Sequence, residues 1–113
     1  MFKKLKQRWL ENQKEQVLNA QKRTEKLKAL VPVFKKYGVR RAYLFGSLTR
    51  NVCSSRSDID LYVEEVDNKL YWNMLRDLED AATYDIDLYT QSDEAQFIKK
   101  IKERGIKIYE SKY

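Results

Sequence analysis

The sequence predicts one domain of the α/β (α+β) class, in which a small β-sheet is flanked by helices. Three observations support this prediction. Stretches with helical spacing of apolar residues alternate with short strand-like apolar runs. Glycines, one proline and polar loops separate the stretches. The 113 residues, of which 42% are hydrophobic, fit one compact core, and no Pro/Ser/Gly-rich linker divides them.

The first predicted element is a long helix over residues 2–31. Apolar or small residues recur there at three-four spacing, namely at Phe2, Leu5, Trp9, Val17, Ala20, Leu27 and Val31. Pro32 lacks a backbone donor and predicts a kink or a fresh helix start. Gly38 suits the left-handed residue that ends a helix. The apolar residues of this helix need a covering surface, from this chain or from another.

Strands and helices alternate in the rest of the chain. The apolar run at 39–45 predicts the first strand, and Gly46-Ser47 then turns the chain into a short helical segment at 47–52. After a polar loop the second strand is predicted at 58–63. The later elements are predicted as a helix with its apolar face over 70–82, a strand at 84–89, a helix capped by Ser92, and a last strand at 106–109.

One stretch predicts chemistry: Gly46-Ser47, ten further residues, and then Asp58-Ile59-Asp60. On a strand, Asp58 and Asp60 point to the same face because side chains alternate. Two carboxylates so close repel each other unless a cation or hydrogen bonds compensate. Magnesium prefers one or two carboxylates together with substrate phosphates. A Gly-Ser turn before a helical start offers N–H groups and a hydroxyl to an anion. The layout therefore predicts a nucleotide–metal site.

The aspartate motif recurs once. Asp58-Ile59-Asp60-Leu61-Tyr62 is echoed by Asp85-Ile86-Asp87-Leu88-Tyr89, so a second strand also presents two carboxylates on one face. If the two strands are neighbours, up to four aspartates could converge. Only the first copy follows a Gly-Ser turn.

Composition excludes several classes of site. Cys53 is the single cysteine and histidine is absent, which excludes an internal disulfide, zinc sites with histidine ligands and histidine-based triads. No run is long enough for a membrane span and no signal-peptide core follows the basic N-terminus, so a cytoplasmic protein is expected. The net charge of +6 is uneven, because residues 1–41 carry 13 Lys and Arg against 3 Asp and Glu. We interpret this basic half as a solvated helix face, with attraction of nucleic acid or an acidic protein as the alternative.

The spacing of Gly46-Ser47 from Asp58-Ile59-Asp60 resembles the signature of the polymerase β-like nucleotidyltransferase superfamily. Within it the chain resembles the minimal nucleotidyltransferases, or MntA-type antitoxins, at flanking residues that include Tyr37-Gly38-Val39, Arg41-Ala42-Tyr43-Leu44-Phe45, Arg50 and Gly105-Ile106-Lys107-Ile108-Tyr109-Glu110. The resemblance covers residues 25–113, which leaves 1–24 as an N-terminal helical extension. It implies a small mixed sheet flanked by helices, with a long N-terminal helix.

The resemblance also implies a ligand set. In this family three carboxylates bind two magnesium ions, and the matching residues are Asp58, Asp60 and Asp87. An acid is not expected at Asp85, so Asp85 is the alternative third carboxylate. Gly46, Ser47 and Arg50 match the residues that hold the nucleotide phosphates, and Arg56 is near them in sequence. Asn51 departs from the glycine that relatives often have after the arginine.

The activity implied by the resemblance is transfer of AMP from ATP to a hydroxyl group. The acceptor would be a tyrosine of a cognate HEPN-domain RNase toxin, which the antitoxin would silence. Three alternatives stay open: adenylylation of a small molecule such as an aminoglycoside, a degenerate module that neutralises a partner by docking, and a basic nucleic-acid binder. Direct nucleic-acid binding is not expected, because it rests only on the charge of the N-terminal half.

Overall fold

The structure, a computed structural model, describes residues 2–112, except the side chain of Phe2. The predicted place of that side chain on the apolar helix face lies outside the described residues. The helices are α1 (Phe2–Lys26), α2 (Val31–Lys36), α3 (Tyr71–Ala82) and α4 (Ala95–Arg104). The strands are β1 (Arg41–Phe45), β2 (Ile59–Val63), β3 (Ile86–Thr90) and β4 (Ile106–Glu110). Short 3₁₀ turns occupy Leu27–Leu30, Ser47–Arg50 and Asn68–Leu70.

The four strands form one mixed sheet in the order β3-β2-β1-β4. β1 pairs antiparallel with both β2 and β4, whereas β2 and β3 are parallel. Parallel neighbours need a crossover connection, and α3 supplies it. The predicted fold class, a small mixed sheet flanked by helices with a long N-terminal helix, is confirmed.

The core lies on one face of the sheet. Alternation turns Ala42 and Leu44 of β1 and Ile59, Leu61 and Val63 of β2 to this face, where they are buried. They belong to one apolar cluster with buried residues of the helices, namely Ala20, Leu30, Phe34, Met74, Leu78 and Ala82. The residues between them in the strands therefore point to the opposite face.

The predicted helix over 2–31 is divided in the structure. A 3₁₀ turn at Leu27–Leu30 ends α1, and α2 then begins with Pro32 as its second residue. The predicted fresh start at Pro32 is confirmed, because a proline in the first turn loses no hydrogen bond. Gly38 adopts φ 66°, as predicted for a residue that ends a helix.

The predicted cap of the last helix is wrong. α4 begins at Ala95, with Glu94 rather than Ser92 before its first turn. The Ser92 hydroxyl instead donates to the Asn68 side-chain carbonyl at 3.0 Å. The Asp93 carboxylate accepts a hydrogen bond from the Thr90 N–H at 2.8 Å, which turns the chain after β3. α4 therefore begins two residues later than a cap at Ser92 would place it.

The two halves of α1 have different surroundings. Ala20 is fully buried, whereas Leu5 and Trp9 nearer the N-terminus are 59% and 57% exposed. The predicted boundary between 1–24 and 25–113 stays a prediction, and it falls inside α1. None of the helices in the described part of the chain combines the length and apolar character of a membrane span.

Candidate active site

The Gly46-Ser47 turn lies directly against a carboxylate of the neighbouring strand. Gly46 has φ 78° and ψ −157°, a conformation that side chains with a Cβ rarely adopt. A Cβ at Gly46 would collide with Oδ2 of Asp60 and lie 3.1 Å from its Cγ. Thr49 closes the following 3₁₀ turn, because its N–H and its hydroxyl both donate to the Gly46 carbonyl, at 3.2 and 2.7 Å. Glycine is therefore required here both for the turn and for the approach of Asp60.

Asn51 ends the 3₁₀ turn in the left-handed region, with φ 59° and ψ 30°. Asparagine is one of the few residues with a side chain that tolerates this conformation. The departure from the glycine expected at Asn51 is therefore compatible with the same turn. Arg50 and Arg56 are both exposed, and Ser47 is partly buried.

The second and third aspartates of the predicted set are side by side. In the parallel pairing of β2 and β3, Asp60 lies opposite Asp87 and Ile59 lies opposite Ile86. Both carboxylates belong to the face opposite the core, since Ile59 and Ile86 beside them are buried. The condition under which the aspartates could converge, namely that the two aspartate strands are neighbours, is met. Asp87 is exposed and Asp60 is partly buried beside Gly46.

Asp58 and Asp85 each precede their strand by one residue. The Ile59 N–H donates to the Asp85 carbonyl at 3.0 Å, which joins the two strand starts. Asp58 and Asp85 line one cavity of about 430 Å³ together with Arg56. Asp58, like Asp87, adds negative charge that raises the pKa of Asp60. Asp85 lies one residue before β3.

Burial and repulsion between the carboxylates both disfavour the charged form of Asp60. Partial burial, followed by the negative charges of Asp87 and Asp58, raises the pKa of Asp60 to about 6. Among residues 2–112, no lysine or arginine forms an ion pair with any of the three. The raised pKa therefore reflects first the burial of Asp60 and then two neighbouring negative charges, with which no described lysine or arginine forms an ion pair.

The donor set fits a divalent metal ion in chemistry and charge. Carboxylate oxygens are the ligands that magnesium prefers, and an added cation would relieve the repulsion at Asp60. The described residues hold no cluster of three or more acidic, histidine or cysteine side chains already drawn together as a metal centre. Asp87 instead accepts a hydrogen bond from the Tyr89 hydroxyl at 3.1 Å. Metal binding would therefore have to draw the three carboxylates together.

The charge on Asp60 should make the metal-free protein less stable above about pH 6. Its folded-state pKa of about 6 lies above its ordinary value, so the destabilisation grows from about pH 4 to pH 6 and is absent below that range. We expect Asp60→Asn to raise the free energy of unfolding by about 1–2 kcal/mol at pH 7.5, allowing for partial exposure, and not at pH 3.5. Urea unfolding in EDTA at the two pH values measures this, and an equal gain at both would contradict it.

Sequence reasoning missed two residues at this site. Tyr89 lies two positions after Asp87 on the same face, so alternation alone could have indicated its contact with the carboxylate. Its ring packs against Phe45 and Phe97, with ring centroids 5.4 and 5.1 Å away. Arg23 is the second such residue: it lies on α1 and is only 4% exposed.

Comparison with known proteins gives one matching family and one curated relative. The family model described as polymerase beta, nucleotidyltransferase matches residues 25–113. A Methanocaldococcus jannaschii protein named as a putative protein adenylyltransferase is 36% identical over 64 residues, which are 54% of this chain and 69% of that protein.

Solved structures share the fold at low sequence identity. A toxin–antitoxin crystal structure with AMP-PNP superposes with a TM-score of 0.66 at 22% identity, over 76% of this chain and 74% of that chain. A complex of tri-AMPylated Shewanella oneidensis HEPN toxin with MNT antitoxin gives a TM-score of 0.61 at 21% identity, over 79% and 73% of the two chains. At these identities the likeness shows the fold.

Proposed function

The chain belongs to the polymerase beta nucleotidyltransferase family, and from that premise we propose that it transfers AMP from ATP to a hydroxyl group in a magnesium-dependent reaction. The observation that carries this proposal is the pairing of Asp60 with Asp87 across two parallel strands, with Asp60 pressed against Gly46. The carboxylates and the Gly46-Ser47 turn, which we propose as the phosphate-binding element, therefore lie next to each other on the sheet.

We propose that Asp58, Asp60 and Asp87 hold two magnesium ions. When bound, such ions neutralise charge on the triphosphate and lower the pKa of the acceptor hydroxyl. The raised pKa of Asp60 supports this role, since a bound cation would offset both the burial of this carboxylate and its repulsion by Asp87 and Asp58. Asp85 stays the alternative third carboxylate, because it precedes β3, whereas Asp87 lies within that strand opposite Asp60.

The Gly46-Ser47 turn would bind the pyrophosphate portion of ATP, which is the leaving group. Ser47 and the amides of the 3₁₀ turn would hold the β- and γ-phosphates. The exposed Arg50 is free to reach the same phosphates. The acceptor oxygen would attack the α-phosphorus, the bond from that phosphorus to the bridging oxygen would break, and pyrophosphate would leave. Asp87 would take the proton of the hydroxyl.

We propose that the acceptor is a tyrosine of a HEPN-domain toxin, so that the protein acts as its antitoxin. Support comes from the structural neighbours, which include an AMPylated HEPN toxin bound to its MNT antitoxin and a toxin–antitoxin structure with AMP-PNP. The curated relative is named as a protein adenylyltransferase, which also favours a protein acceptor. Residues 25–113 would form the catalytic domain and 1–24 a helical extension.

The test is transfer of label from α-labelled ATP. Purified protein and magnesium should label a purified HEPN-domain toxin, with AMP on a tyrosine by peptide mass spectrometry. EDTA should abolish the label. A partner that is bound and silenced without label would contradict the enzymatic proposal and favour a docking module.

A further inference from the structure

Arg23 is a charged residue on the buried face of α1. Its guanidinium donates to three backbone carbonyls: Nη1 to Asn19, Nη2 to Ser55 and Nε to Ser57, each at 3.1 Å. The same group lies over the Tyr84 ring, 4.3 Å from its centroid. A buried charge is costly unless its donors are satisfied, and here every guanidinium nitrogen has an acceptor. The side chain is therefore held in one defined position.

α1 also binds the start of the same loop. The Cys53 N–H donates to the Gln16 carbonyl at 3.2 Å, and the Asn19 side-chain amide donates to the Cys53 carbonyl at 3.4 Å. Cys53 and Ala20 are both buried. Arg23 binds the other end of the loop, so α1 holds the segment from residue 53 to residue 57 at both ends.

The held segment leads directly into the first aspartate. Arg23 binds the carbonyl of Ser57, and the next residue but one, Ile59, donates its N–H to the Asp85 carbonyl. The backbone of Asp58 is thus fixed from both sides. Within the segment the Ser57 N–H donates to the Ser54 carbonyl at 3.2 Å, which closes a tight turn. Movement of the loop would move Asp58 relative to Asp60.

We propose that Arg23 is a positioning residue of the candidate site: it holds residues 55–57 so that Asp58 meets the metal together with Asp60. This inference rests on the proposed function. Arginine suits the role better than lysine, because its planar fork reaches several carbonyls at once in a fixed geometry. The C-terminal half of α1 then belongs to the catalytic apparatus, although it precedes the matched family segment.

The test compares Arg23→Lys with wild type in the full chain. The variant keeps the positive charge but loses the planar guanidinium that binds the loop carbonyls. The backbone amides of residues 54–58 should therefore exchange hydrogen faster. The midpoint of thermal unfolding should stay within a few degrees of the wild-type value. Titration with Mn²⁺ alone should show about tenfold weaker binding, the scale at which groups that orient ligands act. Lys22→Met, at the exposed neighbouring position, should change neither. Unchanged exchange and unchanged Mn²⁺ affinity in Arg23→Lys would overturn the inference.

Two further outcomes can be distinguished from a failure of the inference itself. If the wild-type chain binds no Mn²⁺, the proposed function fails, and the exchange of residues 54–58 alone decides the role of Arg23. If Arg23→Lys does not fold, Tyr84→Leu removes the ring beneath the guanidinium and should accelerate exchange in the same segment by a smaller factor. Wild-type exchange there in a folded Tyr84→Leu protein would overturn the inference.

Discussion

Replacing Asp58 and Asp60 together by asparagine should abolish transfer of label from α-labelled ATP and leave the fold intact. Asparagine keeps the shape of each side chain but removes the negative charge on which metal binding depends. We expect a loss of about a thousandfold or more, which corresponds to about 4 kcal/mol of transition-state stabilisation. The fold should tolerate the change, because loss of the charge at Asp60 removes the cost of burying it and its repulsion by Asp87 and Asp58.

A matched control removes two carboxylates elsewhere. Glu25→Gln with Glu103→Gln makes the same change in net charge at exposed positions of α1 and α4 and should transfer label at the wild-type rate. Circular dichroism and thermal unfolding of each variant show whether it is folded. Transfer at the wild-type rate by a folded Asp58→Asn, Asp60→Asn protein would end the enzymatic interpretation.

Asp87→Asn should reduce transfer far more than Asp85→Asn. Asp87 lies opposite Asp60 in the parallel pairing, whereas Asp85 precedes the strand. If Asp87 accepts the proton of the attacking hydroxyl, its loss should cost about a hundredfold or more. Asp85→Asn should stay within a few fold of wild type. Rates from single-turnover label transfer give the comparison.

The pair of aspartate variants contains its own control. Both substitutions remove one exposed carboxylate from the same stretch of chain, so a general effect of charge would lower both rates alike. A larger loss in Asp85→Asn would reassign the third carboxylate to Asp85. Equal losses would mean that both aspartates are needed.

The parts of the site whose residues are near one another in sequence were predictable from local patterns. Side-chain alternation predicted that Asp58 and Asp60 share a face, and the echo at Asp85 and Asp87 predicted a second strand with two carboxylates; Asp58 in fact lies one residue before β2. The parallel register that aligns Asp60 with Asp87 was not predictable in this way. This register depends on how α3 crosses over the core and on how Ile59 and Ile86 pack. Both depend on contacts between residues that are distant in sequence.

The role of α1 was the least predictable feature. Helical periodicity does place Arg23 between Ala20 and Leu27 on the apolar face, but a long basic helix has many charged residues that are simply solvated. What distinguishes Arg23 is the loop at Ser55 and Ser57 folded against it, more than 30 positions away in sequence. Ser92 failed as a cap for a similar reason, because its hydroxyl has a partner at Asn68.

The central claim is that carboxylates of two adjacent strands bind the metal–nucleotide complex beside the glycine turn. A crystal structure of the full chain with Mn²⁺ and a non-hydrolysable ATP analogue, using the anomalous signal of manganese, measures this most directly. We expect manganese peaks bounded by Asp58, Asp60 and Asp87, with the β- and γ-phosphates on the turn at Gly46 and Ser47. Manganese bound away from these carboxylates, or phosphates bound away from the turn, would contradict it.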